Sequence, residues 1–318
     1  MRRVLIVLAV VVLALVGALA AVVAFAAPAA PPHMASVSAA FHGVDFSSVP
    51  PIRHFTARDG TELAYRAYPG APGRVVVLIH GSSGTADSMH AVARAIHAKG
   101  ATVYALSMRG HDGTGRSGDV DYIGQLDDDL VDFMATLGPR PAGQSRTLLG
   151  FSSGGGFALR FAGGPHGALF DRLILVAPQF PYNAPTMRPS AGGWVSVSIP
   201  RIVALRLLTR IGITAFNGLP VLAMATNPDP ALRLMPVYSF RMQQNFGPGS
   251  DYLGDLKRAP KHLAVLAGAD DEIFHADKFA PLVKSVRPDA SVTIVPKLSH
   301  MEMTTRPPAL EAIAAAAN

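Results

Sequence analysis

The hydrophobic pattern divides the chain into three regimes. Val4 to Ala27 is an uncharged run, mainly Ala, Val and Leu, with no polar face. Pro28 to Pro51 is rich in Ala, Pro and Ser and shows no helical period, so it reads as a tether. From Ile52 onward, short apolar runs alternate with amphipathic stretches. His54 to Ala57 and Glu62 to Arg66 flank Asp59-Gly60, which predicts an opening antiparallel hairpin. Arg74 to Ile79 and Ala101 to Ser107 read as buried strands, followed by Thr147 to Leu149 and Arg172 to Ala177. His262 to Ala267 and Ser291 to Val295 complete the set. Helices are expected over Ala86–Ala98, Tyr122–Leu137, Gly155–Ala162, Ala276–Val286 and Leu310–Ala317. Alternating strands and helices after a hairpin predict an α/β fold: a mostly parallel central sheet with helices on both faces. Between Pro178 and Pro260 the alternation breaks down. A crossover needs only about a dozen residues, so this connection carries an insertion, about 180–258.

The first regime sets the compartment. As a helix, Val4 to Ala27 would span roughly 36 Å, enough for a hydrocarbon core of about 30 Å. It predicts an N-terminal membrane anchor over residues 1–27, or a signal peptide cleaved near Ala24-Phe25-Ala26. Arg2 and Arg3 precede it and the next Lys or Arg is Arg53, so both readings export the body of the protein, 52–318. The anchored form is membrane-bound with its folded part in the periplasm or outside the cell; the cleaved form is secreted.

Composition narrows the chemistry. The 318 residues are 49% hydrophobic and 16% charged, ample for a core. The net charge of +6 is spread without a Lys/Arg block, which points away from nucleic acid as a partner. Cysteine is absent, excluding disulfides, a thiolate nucleophile and a cysteine-held metal. The acidic run Asp127 to Asp129 reads as a solvated helix face.

Candidate chemistry centres on Gly150-Phe151-Ser152-Ser153-Gly154, a serine between strand and helix with glycine two residues to either side. Such a turn is tight enough to exclude flanking side chains, and it lifts the hydroxyl above the sheet. A serine hydroxyl needs a base, and the base needs an orienting acid. The strand ending near Ala267 runs into Asp270-Asp271-Glu272, and the next runs into Ser299-His300. The order serine, acid, histidine therefore falls on successive strand ends, where ligands bind in an open α/β sheet. His275 is the rival base.

These motifs occur together with His80-Gly81-Ser82-Ser83-Gly84 and Arg109-Gly110-His111 through Ser117. Over Ile52 to Asn318 the chain resembles the serine α/β-hydrolases, nearest the monoglyceride lipase and lysophospholipase group. The resemblance implies an α/β-hydrolase fold with a helical cap insertion. It makes Ser152 the nucleophile, His300 the base and Asp271 the acid, the last matching Gly-x-x-Asp ahead of Asp270 and Glu272. The backbone N–H groups of Ser82 and Ser153 become the oxyanion donors. His80, Arg109 and Ser117 become loop supports. It implies cleavage of carboxylic esters, lipid-like or acyl, with no metal or organic cofactor. An amidase or peptidase, an acyltransferase on the same residues, or a non-catalytic envelope scaffold are the alternatives. Met187, Met224, Met235, Met242, Phe216 and Phe240 either line an acyl pocket or pack the cap core.

Overall fold

The computed structural model describes residues 1–226 and 233–318; residues 227–232, inside the expected insertion, lie outside this description. Among the described residues there are eleven strands: β1 (Ile52–Thr56), β2 (Glu62–Tyr68), β3 (Ala71–Ile79), β4 (Ala101–Leu106), β5 (Ser145–Phe151), β6 (Arg172–Val176), β7 (Val195–Val197), β8 (Pro220–Met224), β9 (Val237–Ser239), β10 (His262–Gly268) and β11 (Ser291–Val295). Eight form one sheet in the order β1-β2-β4-β3-β5-β6-β10-β11. β1 and β2 pair antiparallel, as does β2 with β4. From β4 to β11 every pairing is parallel. Val77, Leu78 and Ile79 of β3 are fully buried, as a central strand covered on both faces requires. β4 and β5 lie on opposite sides of β3, so the chain reverses its winding at the β3/β5 boundary. Ligand sites of open α/β sheets lie at such a boundary, outside the carboxyl ends of the strands.

The helices are α1 (Arg2–Phe25), α2 (Ala35–Ala39), α3 (His90–His97), α4 (Gln125–Thr136), α5 (Ser153–Ala162), α6 (Ile199–Arg210), α7 (Phe240–Asn245), α8 (Tyr252–Arg258), α9 (Phe279–Lys284) and α10 (Pro307–Ala316). Two predicted helices begin as 3-10 turns, Ala86–Met89 before α3 and Ala276–Lys278 before α9. The insertion is mixed, not purely helical. Its Pro220–Met224 run is the middle strand of a three-stranded antiparallel sheet, β7-β8-β9, accompanied by α6 and α7.

One polar reading changes. Asp127–Asp129 is not a solvated face: on α4 the three carboxylates point in different directions and each meets an arginine. Asp127 pairs with Arg160 at 2.9 Å, Asp128 with Arg58 at 2.7 Å and buried Asp129 with Arg109 at 2.7 Å. Three consecutive helical positions span about 200° of arc, so a run of like charges need not share one face. Arg109 is itself buried and also reaches Asp59 and Thr61, which ties the β1–β2 turn to the loop after β4.

The tether reading also changes. Residues 34–41 pack onto the domain, burying Val37, Ala40 and Phe41. The Met34 N–H donates to the Ala225 carbonyl, and His33 hydrogen-bonds the Thr226 carbonyl. α2 is a five-residue helix, too short for its apolar spacing to register as a period.

Candidate active site

The Ser152 turn is built by close approach. A Cβ on Gly150 would lie 2.2 Å from the Gly154 carbonyl oxygen, and one on Gly154 would lie 2.1 Å from the His80 carbonyl oxygen. Neither position accepts a side chain. Ser152 has φ 54° and ψ −120°, a conformation costing a non-glycine residue about 1–3 kcal/mol. Four backbone hydrogen bonds hold it. Its N–H donates to Val176, and its carbonyl accepts from Gly155, Gly156 and Gln179. The Oγ therefore stands at the carboxyl end of β5, beside the switch point.

His300 follows β11 and reaches Ser152: its Nε2 lies 3.0 Å from Oγ. On the other side of the ring, Nδ1 lies 2.8 Å from Asp271 Oδ2. The second Asp271 oxygen accepts from the Ile273 and Phe274 N–H groups, both at 2.8 Å. Three of the carboxylate's acceptor sites are thus used by donors of fixed position. Glu272 instead takes the backbone N–H of His300 at 2.9 Å, and Asp270 is exposed. The His275 N–H bonds Thr186, and its ring makes no hydrogen bond to the serine. Phe151 and Phe274 flank the His300 ring at 4.9 and 5.1 Å, so sequence neighbours of both Ser152 and Asp271 wedge the imidazole in place.

The loop after β3 completes the frame. Among the described residues, the N–H groups of Ser82 and Ser153 enter no hydrogen bond, which leaves both free to meet an incoming oxygen. The Ser82 hydroxyl accepts from the Trp194 indole N–H at 2.9 Å, joining the loop to the insertion. His80, fully buried, donates from Nδ1 to the Gly81 carbonyl at 2.7 Å and accepts the Met108 N–H at Nε2, 3.1 Å. A second relay missed by the sequence lies beside it. The Ser83 N–H donates to Tyr238 Oη at 2.7 Å, and the Tyr238 hydroxyl donates to His111 Nε2 at 2.6 Å. His111 Nδ1 then faces the Met108 and Arg109 carbonyls. Tautomers follow from these partners: each ring has one acceptor and one donor nitrogen, as a neutral imidazole does. Burial, together with the neighbouring His111, pushes His80 well below the usual histidine value, and burial brings His111 down to about 4. Both act as neutral struts. Tyr238 lies on β9 and carries no motif, so only the fold reveals it.

Residues 70–305 match the family described as serine aminopeptidase, S33. The chain belongs to that family. The fold is shared with solved structures of low identity. A soluble variant of monoglyceride lipase from Saccharomyces cerevisiae aligns with TM-score 0.61 at 18% identity, over 85% of this chain and 94% of that one. A monoacylglycerol lipase from Paleococcus ferrophilus gives 0.59 at 16%, over 80% and 99%. A membrane phospholipase A, described as a bacterial virulence factor, gives 0.57 at 19% and covers 99% of this chain and 96% of that one.

This S33-family serine hydrolase encloses about 30 Å³ of free space over Ser152, room for roughly two waters. Its apolar wall comes from Val37, Phe41, Phe151, Trp194, Ile273 and Met301. Val37 and Phe41 precede the family-matched region and arrive on the packed segment before β1. Of the six Met and Phe residues considered for an acyl pocket, none lines this cavity. Met224, Phe240 and Met242 point into the cores instead, and Phe216 is exposed. Strand pairing and helix caps in the insertion turn these side chains inward, which composition does not record. Among the described residues no cluster of His, Asp and Glu could hold a metal ion.

Proposed function

We propose that the chain is a serine esterase of the cell envelope, held at a membrane by α1, that cleaves acyl or lipid-like esters. The observation carrying this reading is the bridge made by His300, 3.0 Å from Ser152 Oγ and 2.8 Å from Asp271. In the first half-reaction Ser152 Oγ attacks the ester carbonyl carbon while His300 Nε2 takes its proton. The Asp271 carboxylate holds Nδ1–H and stabilises the imidazolium. The Ser82 and Ser153 N–H groups receive the oxyanion. His300 then passes its proton to the leaving alkoxide, freeing the alcohol and leaving an acyl-serine. Water attacks that ester with His300 again as base; the imidazolium returns the proton to Ser152 Oγ as the acyl–oxygen bond breaks, and the acid leaves.

An aminopeptidase must hold a protonated α-amino group, and among the described residues those lining the cavity include no carboxylate for it. They provide an apolar wall suited to hydrocarbon. α1 supports anchorage: it runs 24 residues with mean hydropathy 3.2 over its most apolar window, nearly all exposed. The names of the neighbours, two monoacylglycerol-type lipases and a membrane phospholipase, agree with a lipid-like substrate.

The test is labelling by a fluorophosphonate followed by hydrolysis of p-nitrophenyl esters of graded chain length. Wild type should label and turn over; Ser152→Ala should do neither. Labelling of Ser152→Ala as strong as wild type refutes the nucleophile. A native protein that never labels supports the scaffold alternative.

A further inference from the structure

α6 is apolar on both sides. Its inner side, Ala204, Leu205 and Leu208, is buried against Leu19, Val22 and Val23 of α1 and against Val221 and Phe240 of the insertion. Arg201 fixes this contact by donating to the carbonyls of Ala24 and Pro220. The outer side carries Ile199, Val203 and Leu207 at a spacing of four, one stripe along the helix. The turn beyond it adds Ile211, Ile213 and Phe216. These six side chains are between 41% (Ile213) and 72% (Ile211) exposed. An apolar patch of this kind on an otherwise folded surface marks a docking site.

The position of the patch identifies its occupant. A hydrocarbon core of about 30 Å takes about 20 helical residues. Counted from Val4, the first residue beyond Arg2 and Arg3, it ends near Val23. That is the turn of α1 that packs on α6. The stripe therefore continues the exposed apolar surface of α1 at the depth where the acyl chains meet the headgroups. Arg206 and Arg210, both exposed on α6, place cations at the same level, as an interfacial helix does. The geometry points to a lipid surface as the occupant: α6 and the turn through Phe216 lie in the outer interface of the bilayer that α1 spans. The insertion is thus seated on the membrane directly, beyond being tied to it by α1. This inference rests on the anchored reading of α1.

The cysteine-free sequence makes the test clean. Single cysteines are introduced into the full chain as Val203→Cys, Phe216→Cys, Val11→Cys in α1 and Ala142→Cys. The last is exposed in the loop before β5, at the amino edge of the sheet. Each is labelled with an environment-sensitive fluorophore and reconstituted into phosphatidylcholine/phosphatidylglycerol vesicles containing doxyl-labelled lipid. Positions 203 and 216 should show blue-shifted emission and lose at least half of it to the doxyl quencher, with 11 quenched and 142 unaffected. If 203 and 216 behave like 142 while 11 is quenched, the docking inference is overturned and the anchor stands. If 11 is also unquenched, both fall. Blue-shifted but unquenched emission at 203 and 216 assigns the patch to a second copy of the chain and overturns the lipid assignment.

Discussion

Replacing Asp271 with Asn isolates what the carboxylate does, because the site dictates how the amide must sit. The Asp271 oxygen facing Ile273 and Phe274 accepts two N–H bonds of 2.8 Å. An NH₂ there would meet two buried donors, a cost of about 1–3 kcal/mol for each group left unpaired. The Asn oxygen must therefore take that place, which turns its NH₂ toward His300 Nδ1. Nδ1 then has to accept, the ring proton moves to Nε2, and the nitrogen facing Ser152 Oγ at 3.0 Å becomes a donor. A base in the wrong tautomer has no free pair for the serine proton. The same exchange in a comparable serine triad costs about 10⁴ in kcat, or about 5.4 kcal/mol of transition-state stabilisation. The assay is kcat/KM for p-nitrophenyl butyrate at pH 8, with circular dichroism confirming the fold. A folded Asp271→Asn protein within tenfold of wild type would refute the orienting role and return Asp270 and Glu272 to consideration.

Three further outcomes follow from the same geometry. Gly154→Ala should lower stability by about 1–3 kcal/mol, seen in denaturant melts, because its Cβ meets the His80 carbonyl at 2.1 Å; an unchanged midpoint would mean that the loop yields freely. Phe41→Ala should widen the cavity and raise the octanoate-to-butyrate ratio of kcat/KM several-fold, and a constant ratio would show that the wall set by Phe41 does not limit the acyl chain. Acid should unfold the protein through His80 and His111. Their folded pKa values lie below the unfolded value near 6.5, so the unfolded chain binds more protons and stability falls with pH below about 6.5. For His111 the loss continues to about pH 4, roughly 3 kcal/mol in all, so His111→Asn should flatten the stability–pH curve between those limits; an unaltered slope would refute the strut assignment.

The main sheet was legible because parallel strands covered on both faces are written as unbroken apolar runs, of which Val75 to Ile79 is the clearest. The serine turn was legible for a steric reason, since Gly150 and Gly154 occupy places where a Cβ overlaps backbone. The carboxylate that meets His300 was harder to read. Asp270, Asp271 and Glu272 are chemically alike, and what separates them is which way one turn points each carboxylate. Tyr238 and the packed stretch around α2 left no pattern, because a single long-range hydrogen bond and a five-residue helix have no period. The insertion was visible only as a failure of alternation. Short strands and helices that pack on each other carry weak local signals, so its sheet emerged only in three dimensions.

The wall contributed by Val37 and Phe41 bears on how the protein is handled. The usual remedy for an insoluble N-terminal helix is to shorten the chain, and the natural cut would fall just before Ile52. That cut would remove the helix and, with it, one side of the chamber above Ser152. The trimmed enzyme would accept bulkier substrates and inhibitors than the full-length one. Compounds ranked on it would be selected for a space that the intact protein fills with its own phenylalanine.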